Sequence, residues 1–183
     1  MDRTTQSYFV DLHATDKVLQ YEAFNQIMAA TQEKVGWAYE VWDQLLNDLK
    51  DSNNHTRSRA AQFLCNLAIS DPENRIMKDF PAVWEVTFDK KFVTARHSLQ
   101  SIWKIGLAGE EQKKMVINQL VNRYINCLTE KNYTLIRFDI VQDLRNLYDA
   151  INDVAIKEIA FELITKEEDP KYKKKYAAVW KNV

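Results

Sequence analysis

A chain of 183 residues with 46% hydrophobic side chains is long enough to bury one continuous core. Only three glycines and three prolines occur, which leaves little material for turns or phosphate loops and argues against β-rich and nucleotide-binding α/β folds. With 25 basic against 26 acidic residues there is no bulk positive field to attract nucleic acid or an anionic membrane.

The opening segment, MDRTTQSYFVDLHATDK, has no cationic start followed by an apolar run, and no stretch reaches the roughly 18 consecutive apolar residues of a membrane span. No secretion signal or spanning helix is therefore expected. From there on, apolar residues recur at i, i+3, i+4 and i+7, the helical pattern. The predicted elements form helical hairpins over 16–50, 54–88, 92–129 and 133–165, with a terminal helix over 170–183. Polar joints at Asp51-Ser-Asn-Asn and Glu130-Lys-Asn separate units. Asp71-Pro72-Glu73 and Asp169-Pro170 read as N-caps followed by proline in the first helical turn.

The units repeat column by column. Lys17, Arg57, Arg96, Arg137 and Lys173 form a basic column. Seven residues later stand Phe24, Leu64, Trp103, Leu144 and Trp180. Ten later stand Ile27, Leu67, Gly106, Leu147 and Val183, and eleven later Met28, Ala68, Leu107 and Tyr148. The second helix of each hairpin gives Ala38, Phe80, Leu120; Trp42, Trp84, Tyr124; Leu45, Thr87, Cys127; and Leu46, Phe88, Leu128. All are expected in the core. Gly106 costs ~1 kcal/mol against alanine in a helix interior, and packing beside Trp103 is the expected compensation.

This period, with the run Leu45-Leu46-Asn-Asp-Leu49-Lys-Asp51 followed by Thr56-Arg57 and Ala60-Ala61-Gln-Phe-Leu64, resembles the HEAT repeat family. In that family an Asp ends one unit and an Arg opens the next. Asp51 with Arg57 fits well, Asp89 with Arg96 carries one extra residue, Glu130 replaces the Asp before Arg137, and at Lys173 both members are altered. The resemblance implies a right-handed α-solenoid of about four to five hairpins, a single domain over 1–183, with these pairs tying neighbouring units together. It specifies architecture, not activity.

Chemistry is sparse. Cys65 and Cys127 have no CxxC partner and no His at metal spacing, which fits a reducing cytoplasm and neither a disulfide framework nor zinc. Cys65 shares a column with Asn25, Lys104 and Arg145 and is expected to face outward; Cys127 is expected in the core. His13, His55 and His97 are evenly spaced but fall at different offsets from the basic column, so no metal ladder is expected. With no GxSxG and no glycine-rich phosphate loop, neither an enzyme nor a cofactor is expected.

The leading reading is a protein- or peptide-binding scaffold whose concave groove is lined by the second helices. Trp37, Gln44, Asn47, Gln119, Arg123 and Asn126 are its expected groove residues. Trp37 stands in a column otherwise polar, Asp79 and Gln119, so it reads as an interface anchor, the alternative being a cap on the first unit's core. A second reading rests on analogy: some HEAT-like alkylpurine DNA glycosylases carry a Trp-Asp-Leu-Val-Asp stretch, which Trp42-Asp43 resembles, although Leu46 stands in place of the functionally important second Asp. Residues 1–50 carry a balance of −4 and the remainder +3, so the first segment favours cationic partners and head-to-tail self-association is open. The run Lys171-Tyr-Lys173-Lys-Lys175 is a dense basic cluster that reads as a solvated helix side or a grip for an acidic partner.

Overall fold

The protein, seen here as a computed structural model that describes residues 1–181, is all-α: among them stand ten α-helices and four short 3-10 segments, with no strand. Val183, the last member of a predicted core column, lies outside the described residues. The chain divides into two compact units, the first Met1–Ser98, the second starting at Leu99.

The first unit opens with a helix that the repeat pattern missed, α1 (Arg3–Asp11), started by Asp2, whose carboxylate accepts from the Thr5 N–H at 2.9 Å. Then follow α2 (Lys17–Ala30), capped by Asp16, α3 (Ala38–Asp48), α4 (Asn54–Leu67), capped by Asn53, α5 (Arg75–Glu85) and α6 (Phe92–Leu99). The expected cap at Asp71 needs correction. Pro72 does not open the helix; α5 begins three residues later, after Asn74 in the left-handed region (φ 54°). The Asp71 carboxylate reaches over the turn to the Ile76 N–H at 2.7 Å and also accepts from the Tyr39 hydroxyl. Ile27, Trp42, Phe63, Leu64, Leu67 and Ile76 form the centre of this unit's core.

The second unit contains a 3-10 segment (Ile102–Leu107), then α7 (Glu110–Asn126), α8 (Tyr133–Ile151), α9 (Val154–Thr165) and α10 (Pro170–Val179). Asp153 caps α9, and Asp169 caps α10 with Pro170 in the first helical position, as the sequence pattern requires. Its core gathers Ile102, Ile105, Val116, Leu120, Ile140, Leu144 and Leu147.

The columns fare unevenly. Leu64, Leu144, Trp180, Ile27, Leu67, Gly106, Leu147, Ala38, Phe80, Leu120, Trp42, Tyr124, Leu45, Thr87 and Cys127 are buried. Phe88 and Leu128, expected inside, are exposed. Each lies in a 3-10 turn that tightens the end of its helix, Val86–Phe88 and Cys127–Thr129, so the backbone turns faster than the α-helical register assumes and swings them out. Gly106 too sits in a 3-10 segment, and its close neighbour is not Trp103: a Cβ there would lie 3.2 Å from both methyls of Leu147 on α8.

Candidate binding surfaces

The basic column works differently from the pairing that the repeat resemblance implies. Arg57 donates Nε and Nη2 to the two carboxylate oxygens of Asp89 at 2.6 and 3.0 Å, while its Nη1 reaches the backbone carbonyls of Asp51 and Ser52 at 2.7 and 3.0 Å. The Asp89 hydrogen bond raises the arginine pKa above its ordinary value. Burial alone would raise Asp89, but Arg57 and the Lys91 N–H outweigh it and hold that carboxyl below the usual range. Arg137 repeats the arrangement: Nη1 binds Glu167 at 2.9 Å and Nε binds the Tyr124 carbonyl at 3.1 Å. At Lys173 only the backbone half persists, to the Thr165 carbonyl at 2.9 Å.

Three predicted pairings are thereby corrected. Asp51 serves Arg57 through its carbonyl, not its carboxylate; Asp89 belongs to Arg57 rather than Arg96; and Glu130 belongs to Arg123 at 2.9 Å rather than Arg137. The reason is reach. Each arginine lies near the start of its helix and faces both the carbonyls ending the preceding helix and the acid that closes its own hairpin, roughly 30 residues on. Arg96 lies over the Phe92 ring at 6.0 Å.

The expected groove residues separate into two kinds. Gln44 and Asn47 on α3 and Asn126 on α7 are exposed, and Gln119 is half-buried. Arg123 is interior, 6% exposed, because its aliphatic stem lies along the core and its guanidinium is held by Glu130; it is not a surface contact. Trp37 is half-buried immediately before α3 and meets Phe9 of α1 edge to face at 5.8 Å. Its column is polar elsewhere because the other units have no equivalent of α1.

Trp42, the aromatic on which the glycosylase analogy rests, is fully buried and donates Nε1–H to Asp79 at 2.9 Å. Arg75 covers Trp42 at 5.7 Å and Tyr39 at 5.2 Å and is tied to the exposed Asp43. The indole therefore has no free face to offer a nucleobase. Both cysteines are buried and outside any disulfide, which corrects the outward reading of Cys65: α4 is covered on most sides, with Ala60, Ala61 and the run Phe63 to Leu67 all inside. Burial pushes the Cys127 thiol pKa up, away from reactivity. Among the described residues no three His, Cys, Asp or Glu side chains gather to hold a metal ion, and no helix is long and apolar enough to cross a membrane.

Two features escaped the column reading. On α7, Asn118, Asn122 and Asn126 follow one another at i, i+4 and i+8, all exposed, and Asn126 Nδ2 contacts Asn122 through its carbonyl at 2.9 Å and its carboxamide oxygen at 3.2 Å. The repeat of Asn every fourth residue was legible in the sequence, but a search for shared columns passes over a feature confined to one helix. On α8, Asp143 is 1% exposed with neither carboxylate oxygen hydrogen-bonded, and burial, reinforced by Asp139, pushes its pKa well up.

Comparison with known proteins gives fold and nothing beyond it. No protein family and no curated protein matches the chain. Among solved structures it is similar to a crystal structure of an engineered protein, a structural-genomics target, with a TM-score of 0.59 and 14% identity over 97% of this chain and 78% of that one.

Proposed function

We propose that the chain is a non-enzymatic binding scaffold, a HEAT-like solenoid that holds an extended peptide segment of a protein partner in a reducing compartment such as the cytoplasm. The observation that carries this reading is the asparagine ladder of α7. Asparagine is a poor helix former, and exposed positions with no packing duty are better served by Glu, Lys or Ala. Three in one row weaken the helix, and among the described residues the exposed contact of Asn126 with Asn122 is a small return. Each carboxamide offers donors and an acceptor, the complement of a peptide unit. Successive rungs rise about 6 Å along the helix, close to the ~6.6 Å two-residue repeat of an extended chain lying alongside. Gln119 and Ile125 flank the row. In the first unit the exposed Gln44 and Asn47 of α3 lie near half-buried Trp37, and although Glu40 and Asp43 are paired with Met1 and Arg75, residues 1–50 keep a balance of −4 that favours a cationic segment.

The glycosylase reading loses its support with Trp42 buried and Asp43 engaged by Arg75. The test pairs two assays. Selection from a displayed random-peptide library should yield extended, net-basic sequences, and a gel shift with abasic or alkylated duplex at two salt concentrations should show no retained complex. Release of alkylated purine with turnover, together with failure of every peptide, would replace the scaffold by the repair enzyme.

A further inference from the structure

The first unit encloses a cavity of about 460 Å³ between α1, α3 and α4, within the size range of small-molecule sites. Phe9, Leu12, Val41, Leu45, Ala60 and Phe63 supply its apolar wall, and Gln6, His13, Gln44 and Thr56 are among its polar lining. Its polar groups are unevenly committed. The Arg59 guanidinium is spent on the Leu12 carbonyl at 3.0 Å and Gln20 at 3.1 Å, and Glu40 already accepts the Met1 ammonium at 2.5 Å. Asp48 is the remaining acid. It is half-buried, and among the described residues its carboxylate takes one hydrogen bond, from Gln44 Nε2 at 2.7 Å. Burial raises its pKa, with Asp51 adding to the rise and Gln44 and His13 opposing it, so the charged form sits where solvent stabilises it poorly.

We infer that this cavity is a binding site for a small organic cation, an aromatic or branched apolar body carrying a primary ammonium, with the body against Phe9, Leu45 and Phe63 and the ammonium on Asp48. The apolar walls gain by covering the body, and the desolvated carboxylate gains a charge-assisted hydrogen bond that its own chain does not supply. An anion of the same shape meets the Asp48 carboxylate as repulsion, while Glu40 is balanced by Met1 and the Arg59 guanidinium is held by Leu12 and Gln20. The site shares Glu40 and Gln44 with the first unit's α3 surface but nothing with the α7 row that carries the peptide-binding reading, so either can fail without the other.

The probes are tryptamine and its anionic counterpart indole-3-propionate, titrated into the isotopically labelled full chain at low salt and followed by amide NMR shifts. Tryptamine is expected to saturate, moving the amides of α1, α3 and α4 together, while indole-3-propionate leaves them in place. Asp48→Asn, which keeps size and shape, is expected to weaken tryptamine about tenfold, the worth of one charge-assisted hydrogen bond. Asp48→Lys is expected to abolish binding with the unfolding midpoint unchanged within error. Equal binding of both probes, an undiminished affinity in Asp48→Asn, or no shifts up to millimolar tryptamine would each overturn the site.

Discussion

Replacing Arg137 by methionine should be among the most damaging single changes to the second unit. The guanidinium is 4% exposed, its partner Glu167 3%, and the cation lies 4.4 Å from the centre of the Tyr124 ring. Burial penalises the charged guanidinium, yet the hydrogen bond to Glu167 leads the opposing effects and its pKa is raised. Methionine fills the stem's volume but abandons Glu167, left with the Asp169 N–H at 3.1 Å, and the Tyr124 carbonyl. An uncompensated buried charge of this kind costs about 3–5 kcal/mol. Urea unfolding would register it as a lower midpoint with the slope preserved. The double variant Arg137→Met with Glu167→Leu removes both charges and should recover more than half of the loss, because the single change is dominated by the stranded carboxylate. If Arg137→Met falls within about 0.5 kcal/mol of the parent, the pair is not the tie described here.

Asp143 gives the opposite sign. Its folded pKa is raised, so its contribution is fully present below the ordinary carboxyl pKa and is lost as pH rises from there through the raised value. Asp143→Leu should stabilise the chain at pH 7 by about 1–3 kcal/mol, and melting curves across pH should lose that decline; an unchanged pH profile would place the carboxyl in a satisfied site. Trp37→Ala should cost about 1–2 kcal/mol through the lost Phe9 contact, short of the ~3–5 kcal/mol of a full core aromatic, and chemical denaturation distinguishes the two. Gly106→Val should cost about 1–3 kcal/mol by pressing on Leu147, and Leu147→Ala in the same chain should relieve part of it; additive losses would contradict the contact.

The helical content and the core stripes were readable because burial imposes a period on the sequence, and Leu64, Leu144, Trp42 and Tyr124 all lie where that period puts them. The period failed where the backbone left the α register, at Phe88 and Leu128, since a 3-10 turn is not announced by residue type, and at Gly106 it gave the burial but not the neighbour, Leu147. Arginine partners were misassigned because adjacency in sequence was allowed to stand for adjacency in space: Asp89 is 32 residues from Arg57 but within 2.6 Å. The exposed site was harder. Asn126 is exposed as expected whereas Arg123 is buried, because a long charged side chain at the edge of an apolar stripe can bury its stem, and sequence does not say which acid waits there. The cavity under α1 could not be anticipated while α1 itself was unrecognised.

The scaffold claim turns on the α7 ladder. The most direct measurement is the calorimetric affinity of a library-selected peptide for the parent chain and for the triple variant Asn118→Ala, Asn122→Ala, Asn126→Ala. Alanine is the better helix former, so the variant should melt no lower than the parent. Binding should weaken by about two orders of magnitude, three backbone hydrogen bonds lost at about 1 kcal/mol each. Equal affinity for parent and variant would show that α7 does not read the peptide and would contradict the account.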